Sequence, residues 1–190
     1  MLKKLWLQLP HREFPGFRLL HIVIAVLILF QIINSNVISR DAIGQTGISN
    51  LMTWLHIFSG AGLIVLGLVM LVWMLVRRGF RYYFSWIFMD FSGIKQDILT
   101  LRQFRLPDAH PGGIASTIQG LGVLALLAVA LSGALWFLLD YFAVTTSVNP
   151  EQIISLHKFL TGFIEVYFFA HGAMGLLHMA LSYYVAARAE

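Results

Sequence analysis

Four long apolar runs, at about 17–36, 51–76, 117–140 and 156–185, constrain this chain more than any other feature. Each holds the roughly 20 mostly apolar residues that a helix needs to cross a bilayer. Inside lipid every backbone polar group must be satisfied within the protein, which a helix does segment by segment. The composition agrees: 58% of residues are apolar and 12% charged, against roughly 45–50% and about 25% in soluble globular proteins. A chain of 190 residues leaves no room for a large extramembrane domain. The expected architecture is a single all-α integral membrane domain over 1–190, a bundle of four transmembrane helices. The first run follows Lys3, Lys4, Arg12 and Arg18. It is too long for a signal peptide and lacks a small-x-small cleavage site, so it is read as a retained span.

The cations give the orientation, because Lys and Arg accumulate in cytoplasmic loops. The N-terminal segment carries four, the connection between spans two and three carries Arg77, Arg78, Arg81, Lys95, Arg102 and Arg105, and Arg188 lies on the same side. Arg40 and Lys158 stand on the other side. Both termini are therefore expected in the cytoplasm, with the chain in a bacterial inner membrane. The formal charge of +4 follows topology and needs no nucleic acid. In the connection, about 77–116, aromatic residues from Phe80 to Phe88 cluster beside the arginines, as in an interfacial belt. Phe91, Ile94, Ile98, Leu101 and Phe104 then recur at steps of three and four, which predicts a cytoplasmic helix lying among the lipid headgroups. Leu106 to Gly113 reads as a loop that re-enters span three.

The chemistry rests on histidines, since imidazole inside a bilayer is costly and usually marks a bundle-facing or functional position. There are seven: His11, His21, His56, His110, His157, His171 and His178. At 1.5 Å of rise per residue, His56 and His157 both sit near the outer ends of their spans. His171 follows His157 by 14 residues, about 21 Å of rise and nearly four whole turns, so the two rings lie within about 40° of one face. His21 lies about 22 Å below the outer end of span one, level with His171. His178 is almost on the same face but about 10 Å deeper than His171, which favours His171 as the partner of His21.

Two imidazoles facing each other with no third ligand suit few metals. Zinc wants four ligands, or three and a water. Haem iron wants one ligand above and one below a flat ring. The chain has no cysteine, which excludes disulfides, thiolate-held iron–sulfur clusters and covalent c-type haem. The reading is two b-type haems held by bis-histidine ligation, with Gly60, Gly62, Gly67, Gly120, Gly122, Gly133, Gly162, Gly172 and Gly175 expected to leave space for the rings. Glycines also let membrane helices approach closely without any cofactor.

The motifs Leu20-His21, Trp54-Leu-His56-x3-Gly60 and His157-x13-His171-x6-His178 resemble those of the bacterial cytochrome b561 family. That grouping includes the b-type cytochrome subunits of nickel–iron hydrogenases and formate dehydrogenases. The resemblance covers nearly the whole chain and implies His56–His157 as the outer haem pair and His21–His171 as the inner pair. It also implies electron transfer between the quinone pool, ubiquinone or menaquinone, and a redox protein such as a cytochrome or a dehydrogenase or hydrogenase subunit. The connection resembles that of the hydrogenase and formate dehydrogenase subunits, which often form a quinone pocket near the inner haem. On that basis His110, Gly112 and Gly113, together with His11, are candidates for quinone binding or proton movement, while Glu165, a carboxyl near the middle of span four between the two ligand levels, is a candidate proton relay because such a group is costly when charged. Lys158 and His178 are candidates for contacts with the haem carboxylates. Glu165 is also read as bonded to Tyr167, Ser132 or a backbone group. Other readings are a superoxide oxidase passing electrons to ubiquinone, a membrane anchor for a peripheral oxidoreductase, and a histidine-dependent metal transporter. The few outer cations, Arg40 and Lys158 beside Asp41, Asp140 and Glu151, count against steering an anion such as superoxide.

Overall fold

The computed structural model describes residues 14–38, 43, 46–144 and 147–187. Four of its helices are long and apolar enough to cross a membrane. They are α1 (Pro15–Asn34), α2 (Ile48–Arg78), α5 (Ile114–Tyr141) and α6 (Pro150–Ala187), and the short α3 (Phe80–Phe84) and α4 (Ser92–Arg102) lie between the second and third. The spans run from about one residue to two turns past the limits expected from hydropathy at most ends, because local end signals lie outside the apolar runs. Pro15 opens α1 at its first turn, where a missing N–H costs nothing. Asn149 caps α6 by accepting from the Glu151 amide at 2.9 Å, with Pro150 as the first helical residue. Gly79, at φ +82, ends α2 just after Arg77 and Arg78, whose charges suit a helix C-terminus.

α1 packs on α2, α2 on α5 and α5 on α6, while α6 meets α1 only locally. The buried apolar residues lie mainly between α1, α2 and α5, around Ile24, Ile28, Leu63, Met70, Val123 and Leu126. Gly67 lets α2 approach α5, since a methyl there would stand 3.0 Å from the Leu127 side chain. Of α6, Ile164 belongs to this core. The outward faces carry exposed Leu, Val, Ile and Phe side chains on all four long helices, the surface that lipid covers.

The connection is more ordered than a headgroup-bound helix requires. α4 forms where the periodicity predicts it, and Ile98, Leu101, Phe91 and Phe104 are exposed. Its inward face, however, is Gly93 and Asp97, one turn apart and both buried. Asp97 is 1% exposed and accepts from the Ile114 amide at 2.6 Å, capping α5 from a different helix. The α5 entrance needs that reach because its own cap position is Gly113, which has no side chain to offer. Gly93 is required as well: a methyl there would lie 2.6 Å from the Gly112 carbonyl.

Candidate haem sites

One level, named outer after the orientation expected from the cations, joins α2, α5 and α6. His157 of α6 lies against α5 because position 133 is glycine; a methyl would stand 2.8 Å from its Cε1. Its Nδ1 is 2.9 Å from the Val129 carbonyl and 3.2 Å from the Ser132 hydroxyl. A carbonyl only accepts, so Nδ1 carries the proton and Nε2 keeps its lone pair, the tautomer that a metal-ligating histidine takes. His56 of α2 stands near the start of its helix, as His157 does on α6, and its own Nδ1 is buried with no hydrogen-bond partner. Gln31 of α1 fixes this turn of α2, donating to the His56 carbonyl at 2.9 Å and to the Ser59 hydroxyl at 3.0 Å.

The inner level joins α1 and α6. The rings of His21 and His171 have centroids 5.9 Å apart and planes at 69°. A metal bonded to one nitrogen of each ring at about 2 Å sets two imidazole centres about 6 Å apart. Tyr167 lies one turn before His171 and stacks on it at 5.1 Å and 12°. The tyrosine ring fills a notch in α5 at Gly122, where a methyl would overlap it. A cavity beside the pair is lined by Phe17, Trp73, Arg77, Arg78 and Gln119. Because α6 is one continuous helix, His157 and His171 stay about 21 Å apart along its axis. Among the described residues no cluster gathers three or more His, Asp or Glu side chains as ligands.

A model of the prokaryotic cytochrome b561 family matches residues 15–184. The chain belongs to that family. No curated protein and no solved structure matches it. Members of the cytochrome b561 family are membrane b-type cytochromes of electron transfer, and the four long helices make this one a multi-pass membrane protein. Its residues fit a b-type haem on three counts: a histidine whose Nε2 is left free, a buried Nδ1 without a partner, and an imidazole pair at metal-bridging separation.

Other candidates in this cytochrome fall differently. His178 is exposed. Lys158 is exposed at the outer end of α6. Glu165 is half-buried, and among the described residues neither Tyr167 nor Ser132 is bonded to it, since Ser132 serves Val129 and His157. His11 lies outside the described residues, as do Lys3, Lys4, Arg12, Arg40, Asp41 and Arg188. Several glycines expected to make room for a porphyrin instead seat protein side chains: Gly67 takes Leu126 and Leu127, Gly120 takes Phe84 and Tyr83, and Gly122 takes Tyr167. Gly62, Gly162, Gly172 and Gly175 do face open space.

His110 is tied into the fold. Its Nε2 lies 2.6 Å from an Asp97 oxygen and its Nδ1 3.2 Å from the Pro111 carbonyl. Both partners accept, an arrangement that favours a proton on each ring nitrogen. The bond to Asp97, above all, raises its proton affinity over the ordinary histidine value, against a smaller loss from burial. Stability from this link is therefore full below a pH of about 6.5 and is lost as pH rises through the raised value. Amide protection at Gly112–Ser116, corrected for intrinsic exchange, should fall over that window. A flat profile would show that the imidazolium contributes nothing.

Sequence reasoning named Tyr167 and Ser132 only as partners of Glu165 and missed their places beside His171 and His157, and it missed Val129, Gln31 and Asp97 altogether. Tyr167 had a signal, an aromatic one helical turn from a candidate ligand. The acceptors had none, because they are a carbonyl and a hydroxyl brought in by α5.

Proposed function

We propose that this protein is a di-haem cytochrome that carries electrons across the bacterial inner membrane, with both termini in the cytoplasm. Its outer haem is held by His56 and His157 and its inner haem by His21 and His171. Bound haem would supply reversible one-electron exchange, and these four histidines are the residues that would hold it. The single observation that carries this reading is the cross-helix pair His21–His171 at 5.9 Å, with His157 on the same unbroken α6. Val129 and Ser132 orient His157, and Tyr167 orients His171. Arg77 and Arg78, which border the inner cavity, are the cations available to haem carboxylates there, and Lys158 is the one beside His157. The inner level exchanges electrons with a membrane quinone and the outer level with a redox protein. The scarcity of outer cations favours this over superoxide oxidation.

Pyridine haemochrome analysis of purified protein should give close to two b haems per chain, with quinol reducing both. One haem per chain would overturn the pairing, and reduction by dithionite alone would overturn the quinone link.

A further inference from the structure

Just past the end of α2 the chain folds into a crevice bordered by Arg81, Ser85, Phe88, Asp90, Pro111 and Gly112. The haem-site reading makes no use of it. Ser85 is 6% exposed, and its hydroxyl is buried with no hydrogen-bond partner. Buried polar groups in folded proteins are nearly always bonded, so an orphan hydroxyl on a crevice wall marks a place for a ligand acceptor. Gly112 keeps the wall open, since at φ +66 a side chain would be strained and its first carbon would stand 2.6 Å from that hydroxyl. The Arg81 guanidinium is held 4.5 Å over the Phe88 ring. One oxygen of Asp90 accepts from the hydroxyl and amide of Ser92 at 2.6 and 3.1 Å. Those bonds hold the carboxyl below its usual range. Arg81 and Asp90 thus border one crevice as opposite charges that attract each other without a salt bridge between them among the described residues.

A cation with a buried hydroxyl beside it, and an anion across the gap, match a group that is itself dipolar. We propose that this crevice binds the headgroup of a zwitterionic phospholipid, the phosphate on Arg81 and Ser85 and the primary ammonium on Asp90. An anionic headgroup would meet Asp90 unfavourably, and a quaternary ammonium has no N–H to donate to it. The lipid, not a soluble phosphoethanolamine, is the source because the crevice adjoins the end of a span and is flanked by exposed Phe80, Ile87, Met89 and Phe91. Those side chains offer acyl chains an apolar bed.

Native mass spectrometry of the full haem-loaded protein tests this with phosphatidylethanolamine, phosphatidylglycerol, phosphatidylcholine and soluble glycerophosphoethanolamine as probes. Phosphatidylethanolamine should be retained about tenfold better than the other two lipids, the ratio that one charge-assisted hydrogen bond supplies, and the soluble headgroup should be lost. Arg81→Ala should lower that retention about tenfold. Asp90→Asn should abolish the preference over phosphatidylglycerol, and Lys95→Gln, which removes an exposed cation outside the crevice, should change neither. If Arg81→Ala loses haem, Ser85→Ala decides in its place by the same drop. Equal retention of the three lipids, or a preference that survives both Ser85→Ala and Asp90→Asn, would refute the headgroup site. Tighter binding of glycerophosphoethanolamine than of the lipid would refute the membrane source.

Discussion

His171→Ala is expected to halve the haem content, from about two b haems per chain to about one, because in the proposed ligation it removes one of the two histidines that would hold the inner haem. His178→Ala is expected to leave both. The two residues are seven apart on α6, which turns the helix by only about 20° but moves the ring about 10 Å along the axis. Facing direction does not separate them; depth does. His21 meets the ring of His171 at 5.9 Å, and His178 is exposed. The haem lost should be the one whose potential and band shape respond to Tyr167→Phe or Tyr167→Leu, since Tyr167 stacks on His171 and not on His157. Haemochrome quantitation with redox titration of both variants reads this directly. Two haems retained in His171→Ala together with one lost in His178→Ala would transfer the inner ligand to His178.

How much of this was legible beforehand differs between the spans and what lies between them. The apolar runs gave four helices because burial in lipid forces a helix wherever about 20 apolar residues follow one another. The histidine levels were legible because a continuous helix turns residue numbers into heights. Both kinds of reasoning are one-dimensional. Gly122 and Gly133 show where that stops: nothing in their spacing tells a porphyrin gap from a notch for Tyr167 or for the His157 ring. That distinction depends on which helix faces which, and both side chains that fill these notches come from α6. The connection was legible only in part, for a similar reason. The period of Phe91, Ile94, Ile98, Leu101 and Phe104 found α4, but the face turned inward carries a glycine and an acid, which a search for apolar stripes passes over. His110, read as a loop residue, is the partner that makes a buried Asp97 tolerable.

Asp97→Ala should be the most destabilising change in the connection, at roughly 3 kcal/mol or more, from the loss of two charge-assisted hydrogen bonds and an uncapped buried amide. The carboxylate lies 1% exposed and serves two elements at once, the Ile114 amide at the start of α5 and the His110 ring. Its loss leaves the first turn of α5 without a substitute, since Gly113 cannot cap it, and frees the imidazolium that pins the loop. Asp97→Asn separates these roles. An amide oxygen can still accept from Ile114, so part of the stability should return, but a neutral partner no longer favours the charged ring, so the pH dependence of loop protection should vanish. Thermal unfolding of the haem-loaded protein in detergent, followed at the Soret band, gives the stability order wild type, Asp97→Asn, Asp97→Ala. If Asp97→Asn equals Asp97→Ala, the charge matters more than the cap. If Asp97→Ala equals wild type, the connection is held by its apolar contacts alone, and Asp97 is not what joins α4 to the third span.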